Sequence, residues 1–187
     1  MLRLSVTKTW SWHKNSPRTL MTDSFAWREL REVVMHRDNL TCRFCGVRAS
    51  KYMVCTHING NPSHNDLANL GTQCPMCDAV CHCGLAGIKN LLCLGISVMP
   101  QKDINLKTLQ LFSKTYTVPL YSDVDYSAVV IADRTVDYAN VLLGLEDDFD
   151  YSAKCNCCSL PHTFDMHKGF FKQDAAAILR QIVQNRV

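Results

Sequence analysis

TCRFCGVRASKYMVCTHINGNPSHNDLANLGTQCPMCDAVCHC, residues 41–83, carries two Cys-x-x-Cys pairs, Cys42/Cys45 and Cys74/Cys77. A tetrahedral zinc ion takes four thiolates, and two such pairs joined by a loop of roughly 30 residues meet that demand without straining either knuckle. The spacing therefore predicts a structural four-cysteine zinc site. Gly46 permits the tight turn behind Cys45, and Pro75, inside the second pair, suits the first turn of a helix. The alternative for these residues is four buried free thiols.

The 187 residues suffice for one ordinary domain with an extension, and the composition is that of a globular protein. Eleven cysteines form an odd set, so complete intramolecular pairing is impossible. The start, MLRLSVTKTWSWHKN, offers no apolar h-region or small-residue cleavage site, and no run of apolar residues is long enough for a membrane span. The expectation is a cytoplasmic protein without direct membrane insertion, in a reducing compartment where such pairs bind metal rather than oxidise. The formal charge is +3, and four thiolates with one zinc would add a net charge of about −2. Residues 1–51 hold ten Lys/Arg against four Asp/Glu, and residues 103–187 hold eight against eleven. Phosphate binding needs a dense basic face; the simpler reading of this asymmetry is a solvated mixed surface.

Outward from the centre, Leu2, Leu4, Val6, Trp10 and Trp12 suit a strand with one buried face. Asp23 and Ser24 are N-caps for a helix over about 24–36 with Phe25, Trp27, Leu30, Val33 and Val34 on its apolar side. Tyr52–Cys55 reads as a short strand ending at His57, residues 58–62 as a turn, and 65–70 as a loop or single helical turn; the helix from Pro75 is expected to reach about Ile88. Residues 91–99 suggest a buried strand closed by Pro100. Asp103 caps an amphipathic helix over 103–117, stopped by Pro119, and residues 126–143 read as a further long helix with Gly144 at its end. Residues 145–173 are expected to be irregular, and Asp174 to start a terminal helix carrying Ile178, Leu179, Ile182 and Val183. The fold class is α+β.

Between the cysteine pairs lie His57 and Asn69, the latter five residues before Cys74. That is the order of the ββα-metal unit of HNH nucleases, in which the histidine deprotonates water, the asparagine orients it, and a divalent metal stabilises the leaving oxygen. His57 and Asn69 fit the first two roles. The metal-ligand positions differ: Thr56 stands where Asp or His is usual, and Asp78 where a histidine is usual. A hydroxyl is a weak ligand, although Asp78 can offer oxygen to Mg²⁺ or Mn²⁺. The alternative for His57 is a scaffold histidine. Among other candidates, Cys81-His82-Cys83 sits on a helix where neighbours point apart, and His64 reads as a solvent-exposed loop residue. Cys155, Cys157, Cys158, His162 and His167 number enough for a second metal but match no common knuckle spacing. Cys55 and Cys93 read as small buried hydrophobes.

Trp12, a helix leading into RDNLTCRFCG (Arg37–Gly46), NGN at Asn59–Asn61, LANL at Leu67–Leu70 and CPMC at Cys74–Cys77 together resemble the IcmJ (DotN) family of Dot/Icm type IVB secretion systems. The resemblance covers about residues 4–145. It implies an HNH-like ββα zinc unit, flanked by an N-terminal strand and helix and by C-terminal helices, turned from cleavage to protein binding. The zinc ligands carry over to Cys42, Cys45, Cys74 and Cys77. The implied protein is an adaptor that grips the C-terminal tail of the coupling ATPase, with other coupling-complex proteins, at the inner membrane. In that family the general-base position is degenerate, whereas this sequence keeps His57. The implied organisation is an HNH-like zinc domain over residues 1–149, with a helical C-terminal half, and a Cys-rich loop and terminal helix over 150–187. The competing reading is an HNH endonuclease acting on DNA with His57, Asn69 and Asp78. Either of the helices at 103–117 and 126–143 offers an apolar face for a partner's tail.

Overall fold

A computed structural model describes Leu2, Leu4, residues 24–132 and residues 167–187. It is a mixed helix and strand structure. Helix α1 (Phe25–Arg37) begins at Ser24, whose hydroxyl accepts a hydrogen bond from the Trp27 backbone N–H at 3.2 Å and so satisfies one of the free donors of the first turn. Its buried stripe is narrower than expected. Trp27 and Val34 face Leu70 in a small cluster with Leu30 and Cys55 at its edge, whereas Phe25 and Val33 are 71% and 51% exposed.

The chain leaves α1 through Asn39 and Leu40, both at positive φ (50° and 52°), and enters the first knuckle. There Cys42 accepts from the Gly46 N–H at 2.9 Å and donates to the Val47 carbonyl at 2.8 Å. Gly46 has φ of 79°, a conformation that costs a side-chain-bearing residue energy and glycine almost none. Strand β1 (Val54–His57) pairs antiparallel with β2 (Leu70–Gln73), in register Val54↔Gln73 through His57↔Leu70. The second strand, for which the sequence reading names no residues, therefore lies directly before Cys74. Helix α2 (Pro75–Cys81) follows with Pro75 in its first turn. The helix expected to run unbroken to Ile88 is interrupted at His82, whose φ and ψ of −113° and 46° leave the helical region, and α3 (Cys83–Ile88) starts anew.

Strand β3 (Leu92–Ser97) is the centre of a three-stranded antiparallel sheet of order β4-β3-β5, with β4 at Ala128–Ala132 and β5 at His167–Phe171. Two expectations are corrected here. Residues 128–132 extend as a strand instead of forming the start of a helix: the run Val129-Val130-Ile131 is β-branched, which favours extended backbone, and Ala128, Val129, Val130 and Ala132 pair with β3 across a register shift. Residues 167–171, expected to be irregular, form β5, with Phe170 and Phe171 buried at 1% and 4% exposure. Residues 133–143, Gly144, the boundary at 149/150, Cys155, Cys157, Cys158 and His162 lie outside the described residues, as does Trp12.

Helix α4 (Gln101–Thr115) starts after Pro100, two residues before the expected cap, and ends at left-handed Tyr116 (φ 56°), ahead of Pro119. Its apolar face is spent inside the chain. Ile104, Leu109 and Phe112 are buried, and α4 packs on β5 and on α5 (Ala176–Asn185). It is thus not a free surface for a partner's tail. α5 follows a 3-10 turn over Gln173–Ala175 and packs on α2 as well. Its end returns to the first knuckle, where the Ser50 N–H donates to the Asn185 carbonyl at 2.8 Å. Leu2 reaches the same region, donating to the Arg43 carbonyl at 2.7 Å, and Leu4 is buried in the main core.

Candidate metal centre and the neighbouring histidine loop

The knuckle after α1, the end of β2 and the first turn of α2 bring Cys42, Cys45, Cys74 and Cys77 together. Their sulfurs all lie within 4.8 Å of one another, Cys45 Sγ and Cys74 Sγ are 3.6 Å apart, and each of the four residues is 5% exposed or less. Tetrahedral zinc with Zn–S bonds near 2.3 Å separates its sulfurs by about 3.8 Å, so the quartet has the dimensions and donor chemistry of such a site. Its electrostatics point the same way. Hydrogen bonds from Cys45, Cys74 and Cys77 hold Cys42 well below the usual thiol range, while burial, followed by the neighbouring sulfurs, pushes Cys77 up. One thiolate is favoured and further ones resist ionising, which is the condition a divalent cation relieves. Four protein ligands leave no open position, so the bound ion would be structural.

One polar side chain reaches this cluster that sequence reasoning did not single out. Asn105 on α4, 1% exposed, donates from Nδ2 to Cys77 Sγ at 3.5 Å. A signal was present: Gln101, Asn105 and Thr108 place polar groups on the helix face that carries Ile104 and Phe112.

The other cysteines among the described residues do not join the quartet. Burial pushes the Cys55 thiol up to about 11 and the Cys81 thiol up to about 12, so both are protonated near neutral pH, and Cys93 is fully buried, with its thiol 3.6 Å from the Phe170 carbonyl. His82 turns back to Asp78, with Nδ1 3.1 Å from the carboxylate and 2.9 Å from the backbone carbonyl.

His57 ends β1, as the sequence placed it. Its ring stacks on Trp27, centroids 5.5 Å apart and planes at 18°, and its Nε2 is 3.0 Å from Asn65 Oδ1. Asn65 and Trp27 are therefore side chains that hold this ring. Asn69 is committed to the loop instead: its Oδ1 accepts from the Asn59 N–H at 3.1 Å, and its Nδ2 donates to Asn59 Oδ1 and to the His64 carbonyl at 2.9 and 2.8 Å. His64, expected to be merely exposed, bridges Asn59 Nδ2 and the Asp66 carboxylate, each at 2.9 Å. Asp78 is paired with His82. Among the described residues, the cysteine quartet is the one group of three or more His, Cys, Asp or Glu ligand atoms close enough to share a metal.

No protein-family model matches the sequence. Over 67 residues the chain is 31% identical to Type 4 apparatus protein DotN of Legionella pneumophila subsp. pneumophila. The matched stretch covers 36% of this chain and 30% of that relative, so the similarity is local. No helix of the described residues is long and apolar enough to cross a membrane.

Proposed function

We propose that this chain is a non-catalytic, zinc-stabilised adaptor of a type IVB secretion or conjugation coupling complex, binding the C-terminal tail of the coupling ATPase on the cytoplasmic side of the inner membrane. The observation that carries this reading is the coincidence of a local match to a type 4 apparatus protein with a buried four-sulfur cluster at the base of a hairpin and helix. In this reading the β1–β2 hairpin and α2 are an HNH-like ββα unit. Its zinc frame is intact, while its catalytic frame is replaced by Thr56 and by an Asp78 paired to His82. Zinc supplies folding free energy to the hairpin–helix unit. The fold so fixed then presents its surface to a partner. Titrating the full chain with the isolated C-terminal tail of the coupling ATPase tests the proposal: saturable binding that is lost with the metal supports it, and no binding by the zinc-loaded chain removes it.

A second reading is favoured by one observation, the fixed ring of His57 at the end of β1. It is an HNH endonuclease with His57 as base, Asn69 as its orienter and Asp78 as a ligand of Mg²⁺ or Mn²⁺. The geometry moves the orienting hydrogen bond to Asn65. Plasmid nicking with either ion decides: equal activity in the wild type and in His57→Ala eliminates the nuclease.

A further inference from the structure

Helix α4 buries three polar side chains on one face, Gln101, Asn105 and Thr108, each 2% exposed or less. Burying an amide without partners costs a few kcal/mol, on the order of 2 or more each. These amides are partnered in a continuous chain. Asn105 Nδ2 donates to Cys77 Sγ at 3.5 Å, Gln101 Nε2 donates to Asn105 Oδ1 at 2.9 Å and to the Gly169 carbonyl at 2.8 Å, and the Gly169 N–H donates to Gln101 Oε1 at 2.7 Å. Gln101 thus occupies both backbone groups of one residue on β5, an outer strand of the sheet, as a neighbouring strand would. Space at Gly169 is tight as well, since an added Cβ would lie 3.2 Å from Leu92 Cδ1.

We infer that Asn105 is a positioning residue for the metal, and that the Asn105–Gln101 amide pair couples the four-cysteine centre to the seating of the C-terminal strand β5. The inference rests on the zinc reading given above. An N–H donor aimed at a thiolate spreads its charge and fixes its orientation, the role that outer hydrogen-bond partners play at metal sites, where their loss costs about 10–100-fold in affinity. The same amide can point only one way. With its N–H on Cys77, its carbonyl faces Gln101, and this fixes which end of Gln101 meets each backbone group of Gly169. Coupling through such a chain acts in both directions: metal binding favours seated β5, and seated β5 favours metal.

The test uses the full chain loaded with zinc, or with cobalt(II) as a spectroscopic substitute. Asn105→Leu is expected to lower zinc affinity about 10–100-fold in competition with a chromogenic chelator. It is also expected to shift the thiolate-to-cobalt charge-transfer band and to speed amide exchange at Gly169. Thr108→Val, an equally buried change on the same face whose hydroxyl partners are the Ile104 carbonyl and the Tyr126 hydroxyl, should leave band and affinity as in the wild type. A general loosening of α4 would not move the band energy, so the spectrum separates positioning from mere structural support. Should Asn105→Leu fail to fold, Asn105→Asp keeps the shape without the N–H donor and is read in the same way. Wild-type band and affinity within twofold in the variant overturn the inference, and a shifted band with unchanged Gly169 exchange overturns its link to β5. A wild-type chain with no thiolate-to-cobalt band overturns the zinc reading itself, and this inference with it.

Discussion

The cysteine quartet and the His57 loop sit on the same hairpin, and they are built in opposite ways. The quartet is closed: four buried sulfurs within 4.8 Å, with the Asn105 amide on one of them. The loop from His57 to Asn69 is half-open, and its polar side chains bond mainly to one another, Asn69 to Asn59 and His64, His64 to Asp66, and Asn65 to His57. A closed sulfur site would add folding free energy on binding a metal, and a loop bonded to itself holds a shape. Neither arrangement leaves a carboxylate–imidazole set converging on an open metal position among the described residues.

The largest expected effect lies on the sulfur side. Cys77→Ser should lose stoichiometric zinc and destabilise the chain by on the order of 10 kcal/mol, read by metal content and thermal melting together. A variant that melts like the wild type with full metal content would break the contrast. On the loop side, Asn69→Ala removes three hydrogen bonds and should cost about 2 kcal/mol in denaturant unfolding. Zinc content should stay unchanged; a loss of metal would show that the two regions are one unit.

Asp38 ties both regions to α1. Its carboxylate accepts from Arg37 Nε and Nη2, each at 2.9 Å, and from the Thr72 N–H at 2.8 Å. Burial acts to raise its pKa, and the Arg37 and Thr72 hydrogen bonds outweigh burial, leaving the carboxyl below its usual range. A depressed folded-state pKa contributes stability above the unfolded value, near 3.9, and that contribution fades as pH falls through the folded-state value. Asp38→Asn should therefore lower stability at neutral pH by about 1.5 kcal/mol and flatten the acid limb of the stability curve. An unchanged acid limb would place the hydrogen-bonded carboxylate outside the stability balance. The smallest effect is expected from His57→Ala. Loss of the Trp27 stack and the Asn65 bond should cost about 1 kcal/mol, and under the adaptor reading affinity for the ATPase tail should be unchanged. A large drop in tail binding would move the partner surface to this loop.

Much of the scaffold was legible in the residues. Ser24 capping α1 follows from its cap, and the buried strand before Pro100, α4 and the terminal helix follow from their apolar patterns, although α4 starts ahead of Asp103 and the terminal helix behind Asp174. The apolar run in 126–132 did not resolve, because a short β-branched run serves a buried helix or a strand equally until its neighbour is known; pairing with β3 decided it. β5 was illegible because its five residues, HKGFF, carry no alternating or β-branched pattern and pair as a strand with Leu92–Ile96. Asn69 was assigned to His57 by order along the chain, but hydrogen bonds are settled by distance: Asn65 lies 3.0 Å from the ring, and Asn69 bonds to Asn59 and to the His64 carbonyl.

By itself, the sequence picked out four cysteines that the fold brings within 4.8 Å of one another: Cys-x-x-Cys spacing restricts local geometry tightly enough for the four residues to be grouped from the chain alone. Only the tertiary structure decided what surrounds them. Asn105 on Cys77, Gln101 on Gly169, and the commitment of α4's apolar face to the interior join residues 28 and 68 positions apart in sequence. Such contacts leave no periodic trace in the chain, because they depend on how separate elements pack.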